Sequence, residues 1–211
     1  MRSPGEVLYN FHWTVPGEIA RSAQAYAGFL APFLLQHGIK GMINLRGRKP
    51  GWRWWDYETR VCAKLGVPHR DIAFNSRRLP TRAILLDMLD AFDVTPRPLL
   101  VKCSGGQDRT SFAAALYLLH TRGSSALEDA KRQFARWPYL HLPKQQQRWL
   151  SAFVEYMEEQ RHSESVREWI AKSYQPEFLK VWLEARGLAN AFRGIHVERP
   201  APPQRDDPQT T

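Results

Sequence analysis

The chain has almost no cysteine: two in 211 residues, Cys62 and Cys103. Two thiols cannot build a disulfide framework or a cysteine-rich zinc site, so a packed core must hold the fold together and each thiol is free for other chemistry. Long apolar runs are also missing. Nothing approaches the roughly 18 consecutive apolar residues that cross a bilayer, and the start Met1-Arg2-Ser3-Pro4-Gly5-Glu6 lacks the apolar stretch of a signal peptide. The expectation is a cytoplasmic protein with no transmembrane segment. Internal repeats are absent, and a hydrophobic content of 43% with 12% aromatics excludes wholesale disorder. The length suits one well-packed domain with an appendage.

Acidic residues are scarce, 21 against 30 Lys and Arg, and the imbalance is local. Between Lys40 and Arg82 there are eleven basic and three acidic residues, a net +8. A uniform basic coat would suggest nucleic acid; a local excess suggests a surface that attracts an anion, or a solvated face. No specific nucleic-acid partner is expected.

Residues Glu6 to Val15 alternate apolar and polar and read as a half-buried strand. A helix is expected from a Ser22 cap to His37, kinked or divided at Pro32. Strand runs at Lys40 to Leu45, Val67 to Phe74 and Leu99 to Val101 alternate with helices around Asp56 to Leu65, after Pro80-Thr81, and from about Arg109 to Thr121. Further helical stretches cover Ser125 to Arg136, Lys144 to Gln160 and Pro176 to Arg186. The expected fold is α/β: a central, mostly parallel sheet of four or five strands with helices on both faces and additional C-terminal helices. Residues 1–190 form that single domain, and residues 191–211 form a disordered Pro-rich tail.

The stretch that carries chemistry is Val101-Lys102-Cys103-Ser104-Gly105-Gly106-Gln107-Asp108-Arg109-Thr110. It puts a cysteine at a strand end and an arginine at the start of a helix, with two glycines between. Such a loop can turn its backbone N–H groups inward around a tetrahedral oxyanion, so Ser104, Gly105, Gly106 and Gln107 are expected to bind phosphate. Arg109 adds a planar, two-pronged donor pair. Cys103, in that cradle, is placed to attack phosphorus and form a cysteinyl-phosphate, a step that needs no metal and no cofactor.

This stretch resembles the signature loop of the cysteine-based protein tyrosine phosphatase superfamily, particularly its bacterial, dual-specificity-like branch. The likeness extends to Arg21-Ser22-Ala23-Gln24 and Gly41-Met42-Ile43-Asn44-Leu45-Arg46, and covers about residues 17 to 160. It implies that Cys103 is the nucleophile, Arg109 the phosphate clamp, and Thr110 the hydroxyl that stabilises the departing sulfur. Rhodanese-like and arsenate-reductase loops are similar; the ending Gly106-Gln107-Asp108-Arg109-Thr110 favours a phosphatase. The implied function is hydrolysis of a phosphate monoester, on a phosphoprotein or a polyanionic phosphorylated lipid, inositol or glycolipid. The alternative is a catalytically weak or silent phosphoryl-binding module.

Two departures stand out. Lys102 occupies the position where the family usually has His, and Asn75-Ser76-Arg77-Arg78 occupies the loop where many relatives place an acidic Asp. Asp108, beside the bound phosphate, is the expected replacement acid, or else a helix cap, with Asp71 in reserve. Arg77, Arg78 and Arg46 are expected on the substrate rim, with Arg48 and Lys49 near it. Trp52-Arg53-Trp54-Trp55 would wall the pocket, touch a membrane interface peripherally, or pack a long loop. Cys62 reads as buried packing.

Overall fold

The computed structural model describes residues 3–26 and 28–197. The elements run α1 (Pro4–Leu8), β1 (His12–Val15), β2 (Ile19–Ser22), α2 (Leu30–Gln36), β3 (Gly41–Asn44), α3 (Arg53–Leu65), β4 (His69–Asp71), α4 (Arg82–Val94), β5 (Leu99–Lys102) and α5 (Asp108–Arg122). They continue with α6 (Leu127–Arg132), α7 (Trp149–Arg161), α8 (Val166–Lys172) and α9 (Pro176–Ala185). The five strands lie in the order β1-β2-β5-β3-β4, with β1 antiparallel to β2 and every other neighbour pair parallel. The expected mostly parallel α/β sheet is what forms.

Period-two alternation sorts the strand side chains between two cores. Ile19, Ile43, Leu99 and Val101 face α4 through α9; Ala20, Met42 and Leu100 face α2 and α3. Helices therefore cover both faces. Helix α5 is buried on all sides from Thr110 to Leu119, because the sheet lies under it and α4, α7 and α8 close round it. Its sequence is accordingly apolar without a polar stripe.

Several expectations need correction. Residues 4–8 are helical, not extended: Ser3 caps the helix by accepting from Glu6 N–H while the Glu6 carboxylate takes the Ser3 N–H, with Pro4 in the first turn. This local capping box outweighs the alternation of Val7 and Tyr9. The helix expected from Ser22 is confined to Leu30–Gln36, and Pro32 sits in its first turn, where the missing N–H has no partner to lose. Upstream, the backbone bonds to distant segments instead: Ala23 N–H to the Tyr9 carbonyl at 2.6 Å and Gln24 N–H to the Ser104 carbonyl at 3.1 Å. The stretch from Ser125 to Arg136 holds the end of a 3-10 turn (Gly123–Ala126) and the short α6, and α8 has no counterpart in the expected elements.

The tail boundary at residue 191 also falls too early. Ala191 is buried, and residues 193–196 run beside Arg77 to Leu79, with Leu79 N–H donating to Gly194 and His196 N–H to Leu79, at 2.9 and 2.8 Å. The remaining tail positions, 198–211, lie outside the described residues.

Candidate active site

Strand β5 is central, so it carries Cys103 to the middle of the sheet's carboxyl edge, where the chain curls into α5. What curls it is on the outside of the loop. Ser104's carbonyl accepts from Gln24 N–H, Gly106's from Asn10 Nδ2 at 2.9 Å, and Arg21 Nη2 donates to the carbonyls of Gly106 and Gln107, each at 3.1 Å. In a trans peptide the carbonyl and the following N–H point opposite ways, so the amides of Gly105, Gln107 and Asp108 are turned to the inside of the curl. Gly106 has φ +63°, and a Cβ there would come within 2.5 Å of Ala23 N. Only glycine lets the loop lie that close to the end of β2.

Arg21 is completely buried and lacks a carboxylate partner among the described residues. Burial pulls its guanidinium down to about 10, still above neutrality. It is held instead by carbonyls and hydroxyls, including Ser111 Oγ at 2.7 Å and the Gln133 carbonyl at 3.1 Å, and by the Tyr139 ring, whose centroid lies 4.5 Å from the guanidinium carbon.

On the inside, Arg109 is preset. Its Nη1 donates to the Leu45 carbonyl at the end of β3 and its Nη2 to Ser104 Oγ, both at 3.2 Å. Gln107 makes no side-chain cap to α5, so the first-turn N–H groups of that helix remain directed at the same space. Cys103, 3% exposed, lies at the floor of a cleft of about 670 Å³. Ser104, Gly105, Gln107, Asp108 and Arg109 share its lining, and Arg46, Arg77 and Arg78 stand in its wall. The structure thus gathers nearly all the expected residues.

Gly106 and Thr110 do not line the cleft. Gly106 packs on the outer side, and the Thr110 hydroxyl donates to the Gln107 carbonyl while accepting from Arg21, both at 3.3 Å. The Thr110 hydroxyl therefore braces the loop. Arg46 lines the cleft with its guanidinium already engaged, 3.6 Å from the Trp54 ring centroid and donating to Gln24 Oε1 at 3.0 Å.

Asp108 takes a specific seat. Gln147 Nε2 donates to its Oδ2 at 2.8 Å and to Ser76 Oγ at 2.9 Å, while Gln147 Oε1 accepts from Lys144 N–H, which fixes the amide's orientation. The other oxygen, Oδ1, lies 3.5 Å from His141 Nε2. His141 Nδ1 donates to the Phe134 carbonyl at 3.1 Å, and burial lowers its proton affinity below the usual imidazole value, against the opposing pull of Asp108. A neutral ring with its proton on Nδ1 presents only a lone pair to Asp108.

Lys102 faces the other side of the sheet. Its Nζ bonds Glu58 Oε2 at 2.6 Å and Gln24 Oε1 at 2.7 Å, and Glu58 Oε1 meets His69 Nε2 at 2.7 Å. Burial brings the Lys102 ammonium down to about 8, with Glu58 resisting. Asp71 is excluded as the reserve acid because it does not line the cleft; its carboxylate accepts from Trp55 Nε1 at 2.9 Å and from Asn44. Trp54 and Trp55 pack inward and do not wall the pocket, whereas Trp52 is exposed. Cys62 is buried on α3, its thiol pushed up to about 12 by burial and then by Glu58.

The contributions of Asn10, His141, Gln147 and Arg193 were not anticipated. Each comes from a segment distant from the loop, whereas Arg21 and Gln24 had a signal in the Arg21-Ser22-Ala23-Gln24 stretch.

No protein-family model matches the chain and no curated protein matches it. Solved structures do. TpbA of P. aeruginosa aligns with a TM-score of 0.54 at 16% identity, covering 87% of this chain and 94% of that one. PTPMT1 aligns at 0.53 and 15% identity, over 71% of this chain and 96% of that one. The core catalytic domain of the PP-IP phosphatase SIW14 from S. cerevisiae aligns at 0.50 and 15%, over 85% and 93%. The chain shares the fold of these solved structures.

Proposed function

We propose that this chain is a phosphate monoester hydrolase acting through a cysteinyl-phosphate on Cys103. The observation that carries the reading is the curl of residues 103–109, with its carbonyls tied outward by Asn10, Arg21 and Gln24 and Arg109 held beside it. Donors preset around a tetrahedral anion stabilise the charge that spreads over the equatorial oxygens during phosphoryl transfer.

In the first step the Cys103 sulfur attacks phosphorus in line with the leaving oxygen. The S–P bond forms, the P–O bond breaks with its electron pair on oxygen, and Asp108 delivers a proton to that oxygen. In the second step water attacks the phosphocysteine, Asp108 takes the water's proton, and the S–P bond breaks with its electrons returning to sulfur. Inorganic phosphate leaves. Gln147 holds the Asp108 carboxyl at the cleft wall for both steps.

The substrate is a phosphorylated anion carrying more charge than one isolated phosphate, because Arg77 and Arg78 share the cleft with Cys103. The related fold of TpbA has been solved, as a Cys-to-Ser variant, in complex with pTyr. The turn of Lys102 away from the cleft favours a second reading, a phosphoryl-binding module without turnover, since the usual His interaction is missing.

One assay decides between them. Aryl phosphate hydrolysis by the wild type should be abolished by Cys103→Ser and reduced at least about 1,000-fold by Arg109→Ala. Undiminished phosphate release from Cys103→Ser would overturn the mechanism, and no turnover by a wild type that binds phosphate would establish the silent module.

A further inference from the structure

The cleft continues past the catalytic loop to a wall that the expected fold did not include. Residues 193–196 form a strap beside the loop at Arg77 to Leu79: Arg193 N–H donates to the Arg77 carbonyl at 2.7 Å, and Arg78 Nη1 donates to the Ile195 carbonyl at 3.1 Å. Buried Ala191 and the half-buried Phe192 and Ile195 anchor the strap on the core. Its backbone bonds set Arg193 next to Arg77, and both line the same cleft as Cys103.

The charges on these two arginines are unbalanced. Neither forms an ion pair among the described residues, and the Arg77 guanidinium makes no hydrogen bond there. Arg193 is oriented by a bond from Nε to Gln146 Oε1, and its two terminal nitrogens have no partner among the described residues. Among the described residues the only carboxylate in the cleft lining is Asp108, and it is engaged by Gln147. Adjacent like charges repel, more strongly in a cleft with protein on its sides than in open water, and a bound anion would reverse the sign of that interaction. A single phosphate on the catalytic loop fills only a small part of the 670 Å³ available.

We propose that Arg77 and Arg193 form a second anion subsite, which receives another phosphoryl group of the same substrate while the scissile phosphate sits on the Cys103 loop. The proposal rests on the hydrolase reading for its first phosphate only. Gln146 orients Arg193 and the adjacent Gln147 orients Asp108, so one short turn sets both the subsite and the acid. The ligand class is a compact polyol or lipid headgroup bearing at least two phosphates, matched to the two-pronged guanidinium donors.

Binding tests this without requiring turnover. On the full chain with Cys103→Ser, calorimetry at low salt would compare inorganic phosphate, soluble inositol trisphosphate, and a short-chain phosphatidylinositol bisphosphate. The inositol trisphosphate or the lipid should bind at least tenfold more tightly than inorganic phosphate. Arg77→Ala with Arg193→Ala should remove most of that advantage and change inorganic phosphate binding less than twofold. Preference for the lipid over the soluble ligand, or the reverse, identifies the source of the headgroup and supports the subsite either way. An unchanged advantage in the double variant, or equal weakening of all ligands, overturns it. Should the Cys103→Ser chain bind the trisphosphate through both arginines while the wild type releases no phosphate, the hydrolase reading fails and the subsite stands.

Discussion

The floor and the rim of the cleft are built on opposite principles. At the floor, Arg21 spends its donors on carbonyls and hydroxyls of the loop and of α5, and Lys102 on the far face of the sheet is closed off by Glu58 and Gln24. At the rim, Arg77 and Arg193 have no carboxylate to answer them among the described residues. A buried cation without partners would be too costly to keep, so each floor cation is held by several hydrogen bonds from distant segments. Half-solvated cations can wait for a ligand. The floor therefore holds geometry, and the rim holds charge.

Breaking the floor should have the largest effect. Arg21→Met removes a charged donor from the Gly106, Gln107 and Gln133 carbonyls and from the Ser111 hydroxyl, and losing several buried, charge-assisted hydrogen bonds together should destabilise the fold by about 4 kcal/mol. Because the same bonds aim the loop amides, kcat/KM for an aryl phosphate should fall at least about 100-fold even at a temperature where the variant is folded. Urea unfolding and steady-state kinetics measure the two losses separately.

The Lys102 pair comes next. Lys102→Met strands Glu58 and should lower stability by about 3 kcal/mol, with Glu58→Leu added in the same chain recovering part of it. A sign follows from the lowered ammonium. Folded Lys102 loses its proton near 8, while in the unfolded chain it does so at 10.5, so the unfolded state binds more protons between those values. Stability contributed by this group therefore rises with pH across that window, and Lys102→Met should remove the rise.

Asp108→Asn tests the seam between floor and rim. Turnover of an alkyl phosphate, whose leaving oxygen needs a proton, should drop about 100-fold, and that of a good aryl leaving group less than tenfold. Equal losses would make Asp108 a cap. His141, buried with its proton affinity lowered, adds an acid-side effect: the unfolded imidazole takes up its proton first as pH falls through the ordinary histidine range. Stability should decline there, and His141→Asn should flatten that decline in pH-dependent unfolding.

The smallest effect belongs to the rim. Arg77→Ala should shift stability by no more than about 0.5 kcal/mol, and should leave hydrolysis of a small aryl monophosphate within twofold. A large loss with that substrate would mean that Arg77 belongs to the floor after all.

By itself the sequence determined the strand, Gly-rich loop and helix around Cys103 and Arg109, because strand alternation, glycine placement and helix entry are all set by near neighbours. The Ser3 to Glu6 capping box was equally local and was masked only by a competing alternation. Tertiary structure alone decided which way the loop faces, which carboxylate is seated in the cleft and which arginines meet. Arg21 reaches Gly106 across 85 positions, Asn10 reaches it across 96, and Gln147 reaches Asp108 across 39. A carbonyl at the loop must find a donor wherever the packed chain brings one, and no periodicity in the sequence records that meeting. Arg193 is the extreme case: it lies in a stretch that reads as tail, and became part of the cleft because Phe192 and Ile195 had a core to pack on.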